Sequence, residues 1–210
     1  MKNNKNMDFN QLATKETVEQ VIENLKNRGI TAILVETKEQ ALEKIKELIP
    51  EGVSIMTGSS TTLDQIGFTD LLISKNHPWK NLKDEILNES DTQKRNELRK
   101  NSVLADYFLG SVHAVTKKGE ILVASASGSQ IPSYAFSSDN VIWVVSTKKI
   151  VNNLDEAFQR VKEHIYPLEN QRMKNAGYEG SIIGKWFILE REILPNRKIT
   201  LIFVNKDLGF

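Results

Sequence analysis

Three stretches of this sequence carry side chains that could do chemistry. The first is Gly58-Ser59-Ser60-Thr61-Thr62, a glycine and four hydroxyl residues that follow the apolar run Val53 to Thr57. At a strand-to-helix turn, free backbone N–H groups and the positive helix end favour an anion, and the hydroxyls add donors. Ordinary capping is the alternative, because Thr62 and Gln65 have the spacing of a capping box. The pattern is neither a Walker loop nor a dinucleotide fingerprint. A phosphate or carboxylate would therefore be held by position and not by motif.

The second stretch, Ala126-Ser127-Gly128-Ser129-Gln130, follows the apolar run Ile121 to Ser125 and precedes a helix start at Ile131-Pro132. Its amides and the Gln130 side chain can face the same ligand as the first turn. A plain turn, with glycine at positive φ and serine as a cap, explains the same residues. If Gly128, Ser129 and Gln130 share a pocket with Gly58, the turns must lie closer than ~15 Å, the span of a typical small-molecule site. The third candidate is His113, whose ordinary pKa suits a general acid or base, with Asp106 as its best partner. A structural or solvent-facing histidine is the alternative. Lys149, just beyond the run Val141 to Val145, can neutralise a ligand phosphate as a point charge, or be one of a solvated pair with Lys148.

Composition removes several other chemistries. With Cys 0 there is no disulfide, thiolate nucleophile, iron–sulfur ligation or cysteine-based zinc site. His77, His113 and His164 lack metal-ligand spacing, so no metal site is expected, and no cofactor motif is evident. Lys and Arg number 28 against 27 acids, a net charge of +1 that gives no global field for nucleic acid or an anionic membrane. Trp79, Trp143 and Trp186 read as core or interface anchors, and Arg160, Arg172 and Arg197 as structural ion pairs or interface residues. No glutamate stands at a strand end as a covalent nucleophile, since Glu120 begins a strand, and this disfavours CoA transfer. The first residues have no apolar core of signal-peptide type, and no run is long enough to span a bilayer. A cytoplasmic protein without membrane or nucleic-acid partners is the expectation, and base rates favour a homodimer.

The elements that must position these residues follow from hydrophobic period. Gln11 to Arg28 has helical spacing and stops at Gly29, and Ile30 to Val35 is a short β-branched run. Thr37 and Gln40 cap the next helix, and Val53 to Thr57 completes a β-α-β unit. Leu71 to Lys100 reads as solvated helices. Val112 to Thr116 and Glu120 to Ser125 predict an antiparallel pair around Lys117-Lys118-Gly119. Asn153 with Glu156 caps a helix whose inner face is Leu154, Ala157, Phe158, Val161 and Ile165. The runs Lys185 to Leu194 and Lys198 to Asn205 predict a closing hairpin. The whole reads as one α/β domain over residues 1–210, with 1–10 as a disordered extension. Its sheet is mixed and mainly parallel, with helices on both faces and antiparallel hairpins.

Several blocks, in their order and spacing, resemble the LUD family, the lactate-utilization proteins. They are Gly58 to Leu63 with Ile66-Gly67-Phe68, Ala105 to Thr116, Ala124 to Ser133, and Lys149-Ile150-Val151 with Leu154, Ala157 and Arg160. Pro167-Leu168-Glu169 with Arg172, then Arg197 and Leu208-Gly209-Phe210, extend the match over nearly the whole chain. Lys117 and Ser146 depart from it, where many relatives carry an acidic residue and a glycine. The resemblance implies a Rossmann-like fold similar to the sugar-phosphate isomerase, deaminase and CoA-transferase group, with ligands at the strand C-termini. It also implies a link to bacterial oxidation of lactate to pyruvate, alongside partner proteins of a lactate-oxidation system. The expected role is an accessory or binding protein for a small anionic metabolite. The alternative is an enzyme of the isomerase or deaminase type, in which the turns hold a phosphate while His113 or Asp106 moves a proton.

Overall fold

The computed structural model describes residues 8–210. In chain order, α1 (Lys15–Lys26) leads to β1 (Thr31–Val35), α2 (Lys38–Leu48) and β2 (Ser54–Thr57). Two short helices, α3 (Thr61–Gln65) and α4 (Phe68–Ile73), precede the brief strand β3 (Lys80–Asn81). Helices α5 (Leu82–Asn88) and α6 (Thr92–Asn101) then lead to β4 (Tyr107–Gly110), β5 (Ala114–Thr116) and β6 (Ile121–Ser125). After a π-helical turn at Ser133–Ser137 come β7 (Asn140–Ser146) and β8 (Ile150–Val151). Helix α7 (Leu154–Gln159) continues through a π-helical stretch, Arg160–Ile165, into α8 (Tyr166–Asn175), and β9 (Lys185–Leu189) and β10 (Lys198–Val204) follow.

The helices begin where the sequence supplies caps. Thr37 and Gln40 close a full capping box on α2, and Asn153 accepts from Glu156 N ahead of α7. The strands form two sheets. One has six strands in the order β1-β10-β7-β4-β2-β3, and every pair in it is parallel. The other has four strands in the order β8-β5-β6-β9, with β5 antiparallel to β6 as expected from the turn between them. This is the α/β, Rossmann-like arrangement that the sequence predicts.

One pairing differs from the expectation. The last two runs do not form a hairpin: β9 pairs antiparallel with β6 in the small sheet, while β10 lies parallel between β1 and β7 in the large one. The reason lies in their side chains. In β10, Ile199, Leu201 and Phe203 enter the core on one face and Ile202 and Val204 on the other, so the strand needs cover on both sides. In β9 only Leu189 is buried, which suits a sheet edge.

Alternating faces separate the layers. Helices α2, α3 and α4 pack Ala41, Ile45, Leu63, Phe68 and Leu72 against one face of the large sheet. The other face meets α1 and the inner side of the small sheet, through Val21, Leu25, Val115, Ile121 and Val123. The small sheet's outer side, Ala114, Leu122 and Ala124, is covered by Ala157, Val161 and Ile165, as the spacing of that helix predicts. Helices α5 and α6 bury no side chain fully, in keeping with their polar sequence. Of the expected N-terminal extension, residues 1–7 lie outside the described residues, and Phe9 packs against the small sheet's outer cluster. Among the described residues no helix is long and apolar enough to cross a membrane.

Candidate functional site

A parallel sheet places its ligand crevice where neighbouring strands send the chain to opposite faces, beyond their carboxyl ends. Here that point lies between β2 and β4, which are paired through Thr57 and Leu109. After β2 the chain enters α3 and α4 on one face, and after β4 it enters β5 and β6 on the other. The residues at the mouth are therefore the Gly58 turn on one side and Ser111 to His113 on the other.

The structure brings the two predicted turns together. A Cβ on Gly58 would lie 4.0 Å from the Cβ of Gln130, so the Gly58 and Gly128 turns touch. Gly128 has φ +82, and the space beside it is filled by the Lys185 side chain, whose Cδ would be 2.4 Å from an added Cβ. The positive φ is what calls for glycine here, since the exposed lysine chain is free to swing aside. Ser127 and Ser129 share a hydrogen bond at 3.2 Å, and Arg99 Nη2 of α6 donates to Ser129 Oγ at 3.3 Å. At the end of β2, Lys83 Nζ of α5 donates to Thr57 Oγ1 at 3.3 Å. Burial holds the Lys83 amine below its ordinary pKa, against the raising influence of Asp64.

Two details of the first turn differ from expectation. The N-cap of α3 is Ser60, whose Oγ accepts from Leu63 N at 3.3 Å, and not Thr62. Gln65 instead accepts from Gly209 N through its Oε1 at 2.6 Å, so no capping box forms with Thr62. The helix has only five residues, too short to build much of a dipole. Ser59 and Thr61 keep hydroxyls without a protein partner among the described residues, whereas Thr62 is buried and turned inward.

Thr62 is turned toward Lys149. This lysine, only 5% exposed, is not part of a solvated pair. Its Nζ donates to Thr62 Oγ1 at 3.3 Å, Ser111 Oγ at 3.1 Å and the Val112 carbonyl at 3.2 Å, and thereby ties α3 to the end of β4. An added Cβ on Gly209 would be 3.0 Å from Nζ, so the backbone there closes over the amine. Burial, then the charges of Arg160 and Lys148, hold Lys149 well below its ordinary pKa. Lys148 points elsewhere, to Asp207 and the Gly209 carbonyl.

His113 and Asp106 are not partners. The Asp106 carboxylate accepts from Ser54 N at 2.8 Å and Ser54 Oγ at 2.7 Å, at the amino ends of β2 and β4 and so at the opposite end of the strands from the crevice. Those bonds lower its pKa, and it serves as a strap between two strands. His113 precedes β5, and its Nδ1 accepts the Ala124 N–H at 3.2 Å, in the place of a backbone acceptor. Strict alternation along this run would put Val112 and Val115 on opposite faces, but at this irregular position both enter the same core. Burial, then the Lys149 and Arg160 charges, bring His113 down to about 3. The imidazole is thus neutral at physiological pH, with its proton on Nε2 and Nδ1 occupied as an acceptor, an arrangement that does not suit a base.

Lys83, Arg99 and Lys185 are the site-lining residues that sequence reasoning missed. Each sits in a polar, mixed-charge stretch with no motif, and only the fold turns it toward the crevice. Two arginines are structural as expected. Arg172 pairs with Glu169, and Arg197 pairs with Glu192 while donating to the carbonyls of Ser133, Tyr134 and Ser138. Arg160 departs from that expectation, since it has no acidic partner among the described residues within 4.0 Å.

Comparison with known proteins agrees with this architecture. The family model described as the LUD domain matches residues 18–192. Among solved structures, the crystal structure of a DUF162 family protein from Deinococcus radiodurans is similar. It covers 93% of this chain and 100% of its own, with a TM-score of 0.55 and 14% sequence identity, a likeness of fold alone. No curated protein matches the chain at a significant level.

Proposed function

We propose that this chain, which belongs to the LUD domain family, is a cytoplasmic binding or accessory protein of lactate and pyruvate metabolism. It holds a small anionic metabolite in the crevice between the Gly58 and Gly128 turns. One observation carries the reading. Lys83, Arg99, Lys149 and Lys185 converge on these turns, and among the described residues none has a carboxylate within 4.0 Å. Basic side chains gathered around one crevice without a paired carboxylate favour an anionic ligand, even in a chain whose net charge is +1. The Gly58, Ser59 and Thr61 backbone and hydroxyls, with Ser129 and Gln130 opposite, supply neutral donors, and Ser60 and Thr62 fix the turn.

An enzyme of the isomerase or deaminase type is the second reading. It needs a group that takes up a proton, and His113 and Asp106 do not supply one. Lys149, whose amine is held well below its ordinary pKa beside Ser111, is the group that favours it. Titration of the full chain with phosphate, pyruvate, lactate, a sugar phosphate and a CoA ester, followed by calorimetry, tests both. At least one anion should bind. Lys149→Met and Arg99→Ala should each weaken it ~10–150-fold, the worth of a hydrogen bond to a charged group. Binding without turnover supports the first reading, and turnover lost in Lys149→Met supports the second. If no anion binds, neither stands.

A further inference from the structure

A second cationic feature lies in the helix that covers the outer side of the small sheet, behind His113. Arg160 is 0% exposed, and only its Nη1 has a partner, the His113 carbonyl at 2.8 Å. Its Nε and Nη2 are buried and unpartnered among the described residues, and so is Nε2 of His164, one turn further along the same π-helical stretch. Both side chains face Phe9: Arg160 Cζ lies 5.9 Å from the ring centroid and the His164 ring 5.8 Å from it. Three of the six orphaned side-chain atoms among the described residues thus gather at one place. Random packing faults would be scattered, and π-helical stretches are often retained at functional sites.

A guanidinium stays ionised, and a buried charge without a counter-charge is costly. The neighbours do not relieve it. Lys149 adds positive charge, Lys148 is already paired with Asp207, and Asp8 and Asp207 act on His164 without coming within 4.0 Å of Arg160. Residues 1–7, Met-Lys-Asn-Asn-Lys-Asn-Met, contain no carboxylate.

We infer that the Nε–Nη2 edge of Arg160 and Nε2 of His164 form a binding site for one small carboxylate with an apolar body. That edge of a guanidinium matches the two oxygens of a carboxylate with parallel N–H···O bonds. The surroundings are apolar: the Phe9 ring lies against both side chains, and it packs together with Phe158, Ile183, Trp186 and Phe210 on the cluster formed by the neighbouring Ala157, Val161 and Ile165. They suit an alkyl or aryl group and disfavour inorganic phosphate, whose remaining oxygens would be buried without donors. A cleft of about 360 Å³ has Phe9 in its lining, together with the charged residues Asp8, Glu156, Lys117 and Lys148. Phe9 is shared by the two: it lines the cleft, and its ring centroid lies 5.9 Å from the guanidinium carbon, so a ligand must displace that ring to reach Arg160. The site adjoins the crevice through the His113 carbonyl that Arg160 holds, but its ligand would contact Arg160 and His164 and none of the turn residues.

The test uses the full chain in a buffer free of carboxylates, with acetate, propionate, phosphate or chloride added at matched ionic strength. Propionate at a hundredfold its Kd should raise Tm by ~5–10 °C, and it should shift the Arg160 Nε–H resonance. Arg160→Met should melt at least as high as wild type in the carboxylate-free buffer, because an unpaired charge is gone, and should lose the response to propionate. His164→Ala provides a second check and should weaken propionate ~10-fold or more. The site is overturned if neither carboxylate shifts Tm or the resonance, if both variants respond like wild type, or if phosphate and chloride act as strongly as propionate.

Discussion

Gly110, the last residue of β4, offers a test of the crevice geometry that needs no ligand. An added Cβ would lie 2.0 Å from the Tyr134 hydroxyl oxygen, 3.1 Å from Cζ and 3.6 Å from Cε1. The first contact is shorter than real carbon atoms tolerate, so in Gly110→Ala the ring must retreat by about an ångström. It has little room to do so. Tyr134 is buried and stands edge-on to both Phe108 and Trp143, with centroids 5.4 and 5.2 Å away. Overpacking of this kind costs ~1–3 kcal/mol. In a chain of 210 residues each kcal/mol moves Tm by ~2–4 °C, so Gly110→Ala should melt ~2–12 °C lower. Tyr134→Phe removes the offending oxygen and leaves the 3.1 Å contact as the closest. The double variant should therefore recover half or more of the loss, a favourable coupling of ~1–2 kcal/mol. Thermal melts of the four proteins at one pH measure it, and burial raises the Tyr134 pKa enough that its ionisation does not interfere. Losses that simply add in the double variant would refute the argument.

His113 gives a pH prediction. Its folded pKa of about 3, against an ordinary 6.5, means that the unfolded chain holds more protons between these values, so stability falls as pH is lowered from 6.5 toward 3. His113→Gln should show a shallower loss between pH 6.5 and 4, by roughly 1–3 kcal/mol, in urea melts; identical slopes would contradict the assignment. Asp106 acts in the same direction but in a more acidic window. Its pKa is lowered by Ser54, so its contribution is present above the unfolded value near 3.9 and fades as pH falls through the folded one. Asp106→Asn should cost about 1 kcal/mol at pH 7 and leave affinity for any crevice anion unchanged. Lost affinity would return Asp106 to the site.

The sequence made much of this legible because local rules decided it. Thr37 with Gln40, Asn153 with Glu156, and the Lys117-Lys118-Gly119 turn each fix their element within a few residues. The two glycine turns were legible as well, since glycine followed by hydroxyls after an apolar run marks a strand end whatever surrounds it. Long-range facts were hidden. Nothing near Lys185 or Lys198 says that one strand joins the small sheet and the next the large one, because both runs suit a hairpin equally well. Lys83 and Arg99 look like surface charge until α5 and α6 are folded beside β2. Thr62 and Gln65 have the spacing of a capping box, yet each had a stronger partner far along the chain, in Lys149 and Gly209. Local patterns fail where a distant group competes for the same hydrogen bond.

The position of β10 has a consequence for how the molecule is assembled. Among the described residues β10 is the only neighbour of strand β1, and their first paired residues, Thr31 and Thr200, stand about 170 positions apart along the chain. On the ribosome, the N-terminal helix and strand emerge long before the segment that anchors them, and β1 waits with both edges open. Contacts of such long range slow folding and leave hydrophobic surface exposed meanwhile. Premature termination before residue 198 would leave β1 and β7 without the strand that joins them, so a truncated product should be a target for chaperones and proteases in place of a smaller folded domain.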